Sequence, residues 1–526
     1  MQNKKPVIGI FSLESLTTGM YADPRVIYRE YIQNATDAID DAVEACILPN
    51  RDAGEIQVKV NRRSSTISIA DNGIGLPQAK ALSTLYDIGR SSKRYDKKRG
   101  FRGIGRLAGL SYSEKLVFTT SAKGESVATV VTWDSKRMRE MLRPDHAGEE
   151  DLAAVIENIV TYKTVSEDVE KHYFTVELVH VDERFSQLLD EYDIRSYLSQ
   201  VSPVPFRADK FPYYSDKNTG IRKKVESLGK ELEEYYIYIN GDPNPLYKGY
   251  KTWITTSKDK DDIREIRFFE EFHPNGDLFF WGWYGMSTFK GYVKDQEVQG
   301  LRVRKHNIQI GDERTLDSLF SQDRFNRWFI GEIHVYDKNI IPNARRDDFE
   351  KNDTYFEFRD RVEKYTKGVL SKIPSLYSNI NSAVAKIEAS KSSLQAIEVK
   401  LEEGVNSEVE RDNLFKKRDQ IKSNIDKGKK EIEKSKSKIE DRVLVEKIKQ
   451  TLAETENLEK KSNEIENKII DVEFNSQTAK ALSSYSKDIR KVVYRIFDVI
   501  ERELEPSVAQ KMRDAILAEL SIGKVK

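Results

Sequence analysis

Glu30-Tyr-Ile-Gln-Asn34-Ala-Thr-Asp37-Ala38, placed on a helix, sorts into two neighbouring stripes. Ile27, Tyr31, Ala35, Ala38 and Ala42 share an apolar face, and Glu30, Asn34, Asp37 and Asp41 line the face beside it. A carboxylate and a carboxamide one turn apart therefore project into one space. Glu30 has the chemistry to hold an attacking water as general base, and Asn34 to offer an amide oxygen to a magnesium ion carrying phosphates. Just upstream, Asp23-Pro24 supplies a helix start, an N-cap acceptor followed by proline at the first helical position. An ordinary amphipathic helix with a solvated polar face has the same pattern, so the stretch needs company.

Two glycine motifs provide it. Ile67 and Ile69 bury one face of a strand that ends at Asp71-Asn-Gly73-Ile-Gly75, where the glycines permit a sharp turn and close approach to a ligand. An aspartate there accepts a hydrogen bond from an exocyclic amine, which selects adenine over guanine. Further along lies a basic, glycine-punctuated segment, Gly89-Arg-Ser-Ser-Lys93-Arg94 and then Lys97-Lys-Arg-Gly100-Phe-Arg-Gly103-Ile104-Gly105-Arg106. Its backbone amides suit phosphates. Gly103-Ile-Gly105-Arg-Leu-Ala108 also fits the dinucleotide fingerprint, but a basic stretch rather than a strand leads into it, and no acidic ribose partner follows at a suitable distance. A basic patch for nucleic acid is another reading; a lid over phosphates accounts for both the glycines and the charges. Together the three motifs point to ATP hydrolysis.

The flanking sequence reads as an α/β sandwich to about residue 205. Ile56, Val58 and Val60, then Ile67 and Ile69, alternate around Asn61-Arg-Arg-Ser-Ser65 as a hairpin, and Leu116–Thr120, Val127–Trp133 and Tyr173–Val179 read as strands of the same sheet. A second α/β region, 206–375, takes in Tyr235–Gly241, the aromatic run Leu278–Tyr284 and Trp328–Val335. That run could stack bases, but more often such a stretch is the packed face of a strand. From about 378 to 475 proline vanishes, and Val384, Ile387, Leu394 and Leu401, then Leu414, Ile421, Ile425, Ile432 and Ile439, recur at heptad-like spacing. Ile448, Leu452, Leu458, Ile465 and Ile469 continue less regularly. A coiled coil is expected over 376–475, with a reversal near Asp426-Lys-Gly428 or at Gly404–Ser407; an uninterrupted helix between protomers is the competing arrangement. The tail, 476–526, reads as two amphipathic helices parted near Pro506.

Glu-x-x-x-Asn-Ala-x-Asp-Ala, Asp-x-Gly-x-Gly and Gly-x-x-Gly-x-Gly, in this order, resemble the GHKL ATPase superfamily, which includes gyrase-type topoisomerases, ninety-kilodalton heat-shock chaperones, histidine kinases, MutL and MORC proteins. The lead-in Met20-Tyr-Ala-Asp-Pro-Arg-Val-Ile-Tyr-Arg-Glu30 is most similar to the heat-shock chaperone branch. The resemblance implies a Bergerat-type α/β sandwich for 1–205, a transducer (S5-like) domain for 206–375, and ATP with Mg2+ as cofactors. It makes Glu30 the catalytic base, Asn34 the metal ligand and Asp71 the adenine contact. It adds Asp37, Gly73, Gly75, Lys93, Gly100, Gly103, Ile104 and Gly105 to the nucleotide-binding set. Thr175 resembles the late threonine that completes the adenine pocket. In Ile341-Pro-Asn-Ala-Arg345-Arg346-Asp-Asp-Phe349, similar to a MORC segment, Arg346 becomes the basic residue reaching the γ-phosphate, with Arg345 the runner-up. The chaperone branch's C-terminal domain is not recognisable; the coiled coil stands in its place.

Lysine plus arginine and aspartate plus glutamate both number 87, so whole-chain charge argues for neither nucleic acid nor membrane partners. One cysteine, Cys46, fits a reducing compartment, and no apolar run could span a bilayer, so a soluble cytoplasmic protein is expected. An ATP-gated homodimeric clamp follows from the resemblance. Its object is DNA, a protein client or a separate effector protein; Arg302, Arg304, Lys305 and the lysine-rich arm Lys427–Lys438 are the candidate phosphate contacts, though a solvated coiled-coil face is the better explanation of that arm.

Overall fold

The computed structural model describes residues 23–89, 98–99, 103–142, 152–405, 408–436, 442–471, 478, 481–482 and 484–522. By its internal contacts the chain divides into two compact units, Met1–Pro374 and Ser375–Lys526.

The first helix, α1 (Val26–Glu44), starts later than Asp23-Pro24 suggests. Asp23 Oδ1 instead accepts from Arg25 N at 2.9 Å, capping the turn that leads into the helix. Ile27, Tyr31, Ala35 and Ala42 are buried as their spacing requires. They pack against a seven-stranded sheet built from β1 (Glu55–Asn61), β2 (Thr66–Asp71), β3 (Ser113–Ser121), β4 (Val127–Asp134), β5 (Val160–Ser166), β6 (Tyr173–Val181) and β7 (Tyr236–Ile239), in the order β5-β4-β3-β6-β2-β1-β7. The β1–β2 hairpin pairs Val58 with Ile69 and Val60 with Ile67. On the inner face Ile67, Ile69, Leu116, Phe118, Val176 and Leu178 join Ile27 and Ile32 in one core. Each fully buried aliphatic side chain contributes about 1.5–3 kcal/mol. Helices α2 (Gln78–Tyr86), α3 (Ser135–Met141), α4 (Leu152–Ile159) and α5 (Glu191–Val201) add Leu85, Met138, Val155 and Leu198 to the same core.

One strand corrects the sequence reading. Tyr236–Ile239, expected in the second region, pairs parallel with β1 and closes the edge of the first sheet. Its alternating Ile237 and Ile239 are buried in the first core, which gives the strand more apolar cover there than a separate edge would. The chain therefore leaves the first sheet, passes through α6 (Ile221–Ser227) and returns to it before building the second.

A small ribbon, β8 (Trp253–Thr255) with β9 (Lys260–Asp262), precedes a five-stranded sheet. That sheet comprises β10 (Glu265–Phe272), β11 (Leu278–Met286), β12 (Gly300–Lys305), β13 (Ile308–Ile310) and β14 (Ile330–Val335), ordered β10-β11-β14-β12-β13. Every residue of β11 is buried, so the aromatic run is a packed strand: Trp281 and Trp283 lie in a core with Phe206, Phe211 and Tyr250. Helix α7 (Asp353–Tyr365) adds Phe358, edge-on to Phe280. Arg302 and Arg304, expected as phosphate contacts, are buried instead. Arg302 donates to the Gln299 carbonyl at 3.0 Å, and Arg304 to Glu332 at 2.5 Å and the Asn307 carbonyl at 3.0 Å. Lys305 Nζ donates to the Asp337 carbonyl at 2.6 Å. Arg302 and Arg304 lie on a strand stretch buried on both faces, with no solvent side on which they could meet DNA.

The second unit is helical: α8 (Lys372–Glu403), α9 (Glu408–Lys436), α10 (Arg442–Ile470), α11 (Lys487–Glu503) and α12 (Pro506–Ile522). Ion pairs fix the directions. Arg418–Glu466 and Lys429–Glu459 run α9 antiparallel to α10, while Lys391–Glu454 and Lys461–Glu398 run α8 parallel to α10. The first three helices therefore go up, down and up. The first reversal lies at Gly404 (φ +96°), the second falls between Lys436 and Arg442, outside the described residues, and the expected break at Gly428 does not occur, since α9 continues through it. Gly428 is buried, and a Cβ there would come within 3.0 Å of Ile387; its missing side chain is a packing adjustment. The irregular stripe of α10 also becomes regular once buried Thr451, Thr455 and Ser462 fill the gaps between Ile448, Leu458, Ile465 and Ile469. In the tail, Val493 and Phe497 of α11 pack with Ile516 and Leu520 of α12.

Candidate nucleotide site

Glu30 lies on α1 with its side chain buried, and its Oε1 accepts from Arg346 Nε at 3.1 Å across 316 residues of sequence. Arg346 also donates to the Arg99 carbonyl at 2.6 Å. It sits at φ +56°, a left-handed conformation that a long side chain adopts at a cost of about 1–2 kcal/mol. The loop around it is pinned: Pro342 bridges Phe349, and the Arg346 carbonyl accepts from Gly311 N at 2.9 Å. Arg29, next to Glu30 on α1, donates to the Arg345 carbonyl at 2.9 Å. Arg345 itself points outward, its side chain 62% exposed and paired with Asp347. The strained backbone therefore turns Arg346 in and Arg345 out.

Against the other oxygen of Glu30 lies main chain. A Cβ on Gly105 would collide with Glu30 Oε2, so any larger residue there would push the Glu30 carboxylate from this position. Gly105 begins a 3₁₀ helix, Gly105–Ser111, rather than an α-helix, with Ile104 as its N-cap and Gly103 at φ +70° before it. Tyr31 Oη ties that element to α1, accepting from Gly109 N at 2.9 Å and donating to the Arg106 carbonyl at 3.1 Å. Asn34, one turn beyond Glu30, is half-buried.

The Asp71 turn meets α1 from the sheet side. Asp71 Oδ1 accepts from Gly73 N at 2.9 Å, and Ile74 N donates to the Ala38 carbonyl at 3.0 Å. A Cβ on Gly73 would come within 2.6 Å of Ala38, and one on Gly75 (φ +68°) would collide with the Ser121 carbonyl. Thr175 is not brought to this turn. Register pairs Asp71 with Phe174 and Thr175 with Ala70, so strand alternation puts Thr175 on the opposite face of the sheet. The threonine on the Asp71 face is Thr120, paired with Phe174; its Oγ1 accepts from Leu76 N at 2.8 Å. A one-residue step along a strand exchanges faces, and Thr119-Thr120 offered no sequence signal of which hydroxyl would turn inward.

Asp37 is fully buried, but its carboxylate is engaged by Arg99, through the backbone N at 3.0 Å and the guanidinium at 3.2 Å. Arg99 also reaches Asp40 at 2.8 Å, Tyr235 Oη at 2.8 Å and Glu233. Burial works against its charge, yet Glu233, Tyr235, Asp40 and Asp37 outweigh it and hold the guanidinium protonated. Arg99 thus clamps the start of the glycine segment to α1 and β7. Neither Arg29 nor Arg99 was singled out by sequence reasoning; each is a basic residue next to a motif position, one beside Glu30 and one beside Gly100. Lys93 and Gly100, together with the Met20–Ala22 part of the lead-in, lie outside the described residues.

Residues 24–156 match the family described as Histidine kinase-, DNA gyrase B-, and HSP90-like ATPase. This part of the chain is a GHKL ATPase domain. Among curated relatives, the chaperone protein HtpG of Shewanella pealeana is 23% identical over 390 residues, 69% of this chain and 56% of the relative. HtpG of Photorhabdus laumondii is 26% identical over 390 residues with the same coverage. HtpG of Alcanivorax borkumensis is 25% identical over 260 residues, 44% of this chain and 39% of the relative. The chain thus spans between 39% and 56% of the length of these curated relatives. The matched segment contains α1, the Asp71 turn and the Gly105 element, but not Arg346, which the second sheet delivers to the GHKL domain.

Proposed function

We propose that this chain binds ATP between α1 and the glycine segment and hydrolyses it to drive a conformational cycle. The 3.1 Å bond between Arg346 and Glu30 carries the reading, because it gathers a candidate base and a candidate phosphate-binding cation at one buried point. In this reading Glu30 takes the proton of the attacking water and Arg346 offsets charge developing on the transferred phosphoryl group. A γ-phosphate that draws Arg346 away frees the Glu30 carboxylate for that water. Asp71 accepts from the adenine amine, and Gly73 and Gly75 let the turn approach the base. Gly103, Ile104 and Gly105, with Lys93 and Gly100, border the phosphates.

Magnesium fits the donor chemistry. Asn34 offers a half-buried amide oxygen beside Glu30, a hard ligand of the kind the ion takes alongside substrate phosphates. Among the described residues no cluster of three His, Cys, Asp or Glu side chains is placed to hold a metal elsewhere. Bound there, the ion would supply charge neutralisation on the phosphates. The deciding experiment is calorimetric titration of the purified chain with Mg-ATP, alongside phosphate release; Asp71→Asn should remove binding. A wild-type chain without ATP affinity ends this reading.

For the object of the cycle, a chaperone-like role with protein partners is favoured over a DNA clamp. Two candidate DNA contacts, Arg302 and Arg304, are buried, and Lys429 of the lysine-rich arm pairs with Glu459. Meanwhile Ile489, Val492, Ile496 and Val499 of α11 form an exposed apolar stripe at 3-4-3 spacing, which supports self-association through the tail and an ATP-gated homodimer. Among the described residues no helix is long and apolar enough to cross a membrane. Suppression of client aggregation without salt-sensitive DNA retention supports the chaperone reading; nucleotide-dependent retention on long duplex DNA overturns it.

A further inference from the structure

Arg346 also lines a second cavity, of about 70 Å³, where α1 meets the second sheet. Gln33 of α1 lines it too. Its side chain is 0% exposed, and neither Oε1 nor Nε2 has a hydrogen-bond partner among the described residues. Native structures rarely keep a buried carboxamide with both ends unsatisfied, so the cavity asks for an occupant that both accepts and donates.

Apart from Tyr336, the rest of its polar wall is basic: Lys98, Arg99, Lys305, His306, Lys338 and Arg346, with no carboxylate among the described lining residues. Most of these groups have acidic partners: Lys98 pairs with Asp41, His306 with Glu233 and Arg346 with Glu30. Two are left over. Lys305 makes no ion pair among the described residues and has the Asp337 carbonyl as its hydrogen-bond acceptor, at 2.6 Å; burial pulls its pKa down to about 8 against the opposing charges of Asp337 and Glu233. Lys338 is exposed at the rim and makes no ion pair among the described residues. One water needs about 10–15 Å³, so the space holds several waters and admits a small tetrahedral oxyanion.

The geometry points to a binding site for inorganic phosphate in this cavity, beside the nucleotide pocket and sharing Arg346 with it. Gln33 Nε2 donates to a phosphate oxygen, and Lys305 and Lys338 supply charge. Gln33 Oε1 accepts from the remaining P–OH, so phosphate is preferred over sulfate, which carries no proton at neutral pH. That the occupant is the phosphate released in turnover rests on the ATPase reading; the site itself does not.

The test titrates the nucleotide-free full chain with inorganic phosphate and, separately, sulfate, at ionic strength held constant with chloride. Saturable phosphate binding, tighter than sulfate, is expected. Gln33→Leu and Lys305→Met should each weaken it at least about tenfold, the loss of one charge-assisted or buried hydrogen bond. Lys338→Ala, at an exposed position that does not threaten folding, should weaken it severalfold. Mg-ATP affinity is read on the same samples. If the wild-type chain shows no saturable phosphate binding, or if Lys338→Ala and Gln33→Leu bind as well as wild type, the site is overturned whatever ATP does. If phosphate binds with this residue dependence while ATP does not, the phosphate site stands and the nucleotide reading falls.

Discussion

Two buried carboxylates, Glu30 in the GHKL domain and Glu332 in the second sheet, both meet arginine, yet their surroundings differ in kind. Glu332 accepts from Lys248 Nζ at 2.9 Å on each oxygen, from Arg304 at 2.5 Å and from Tyr250 at 3.2 Å, and lies 3.0 Å from His334 Nε2. Burial would raise its pKa, but Arg304, Lys248 and His334 outweigh that and hold it well below the usual carboxylate range. Glu30 has one side-chain partner among the described residues, Arg346, and glycine main chain on the other side. A carboxylate with every lone pair engaged is locked into the fold. One with spare acceptor capacity, held beside a strained loop, is available to water or a ligand.

The contrast is most exposed at Glu30. Glu30→Gln keeps the shape and removes the base, so phosphate release should fall by about 10²–10⁴-fold while ATP affinity and the melting temperature barely move. Turnover within a fewfold of wild type would mean that this carboxylate is structural too. The opposite pattern is expected at Glu332. Its replacement by Ala strands Lys248 and Arg304 without their anion and should cost about 3–5 kcal/mol of stability, read by denaturant unfolding. A fully stable Glu332→Ala chain would remove the distinction drawn here.

The two adjacent arginines sharpen it further. Arg346→Ala should lower turnover by about 10²–10³-fold, the usual loss when one preorganised donor to a developing charge is deleted. Arg345→Ala removes only an exposed pair with Asp347 and should leave turnover within twofold. Equal effects would mean that the left-handed Arg346 backbone does not select which side chain enters the pocket.

Much of this arrangement was legible because it rests on short-range periodicity. The stripes of α1, the β1–β2 hairpin, the buried aromatic strand and the tail helices all follow from spacing within one element. What sequence alone misplaced depends on long-range choices. Tyr236–Ile239 has the pattern of a buried strand wherever it pairs, and nothing local says that its partner is β1. Gly428 looks like a helix break until Ile387 is found across from it. Thr175 and Thr120 are distinguished only by register. Arg302 and Arg304 look like surface cations because a buried arginine reveals itself only through its partners. The Asp71 turn was readable because backbone close to Gly73 and Gly75 permits few substitutes there.

The last expected effect is on pH dependence, and it tests whether the Glu332 cluster is closed. His334 lies flat on Trp281, ring centroids 4.6 Å apart and planes 6° from parallel. Burial lowers its pKa to about 4, with the hydrogen bond to Glu332 working the other way. In the unfolded chain a histidine titrates near 6.5, so from about pH 6.5 down to 4 the unfolded state binds more protons. Stability therefore rises with pH across that window and is lost as pH falls, by up to roughly 3 kcal/mol for this single group. Glu332, whose pKa is depressed, loses its contribution in the same direction only further down, below the ordinary carboxylate range. His334→Phe keeps the ring against Trp281 and abolishes the titration. Unfolding followed by tryptophan fluorescence, to which Trp281 and Trp283 of β11 contribute, should show a stability–pH slope smaller by up to one proton between pH 6.5 and 4.5 in this variant. An unchanged slope would mean that His334 is already charged inside the fold. Glu332 would then hold three cations rather than two.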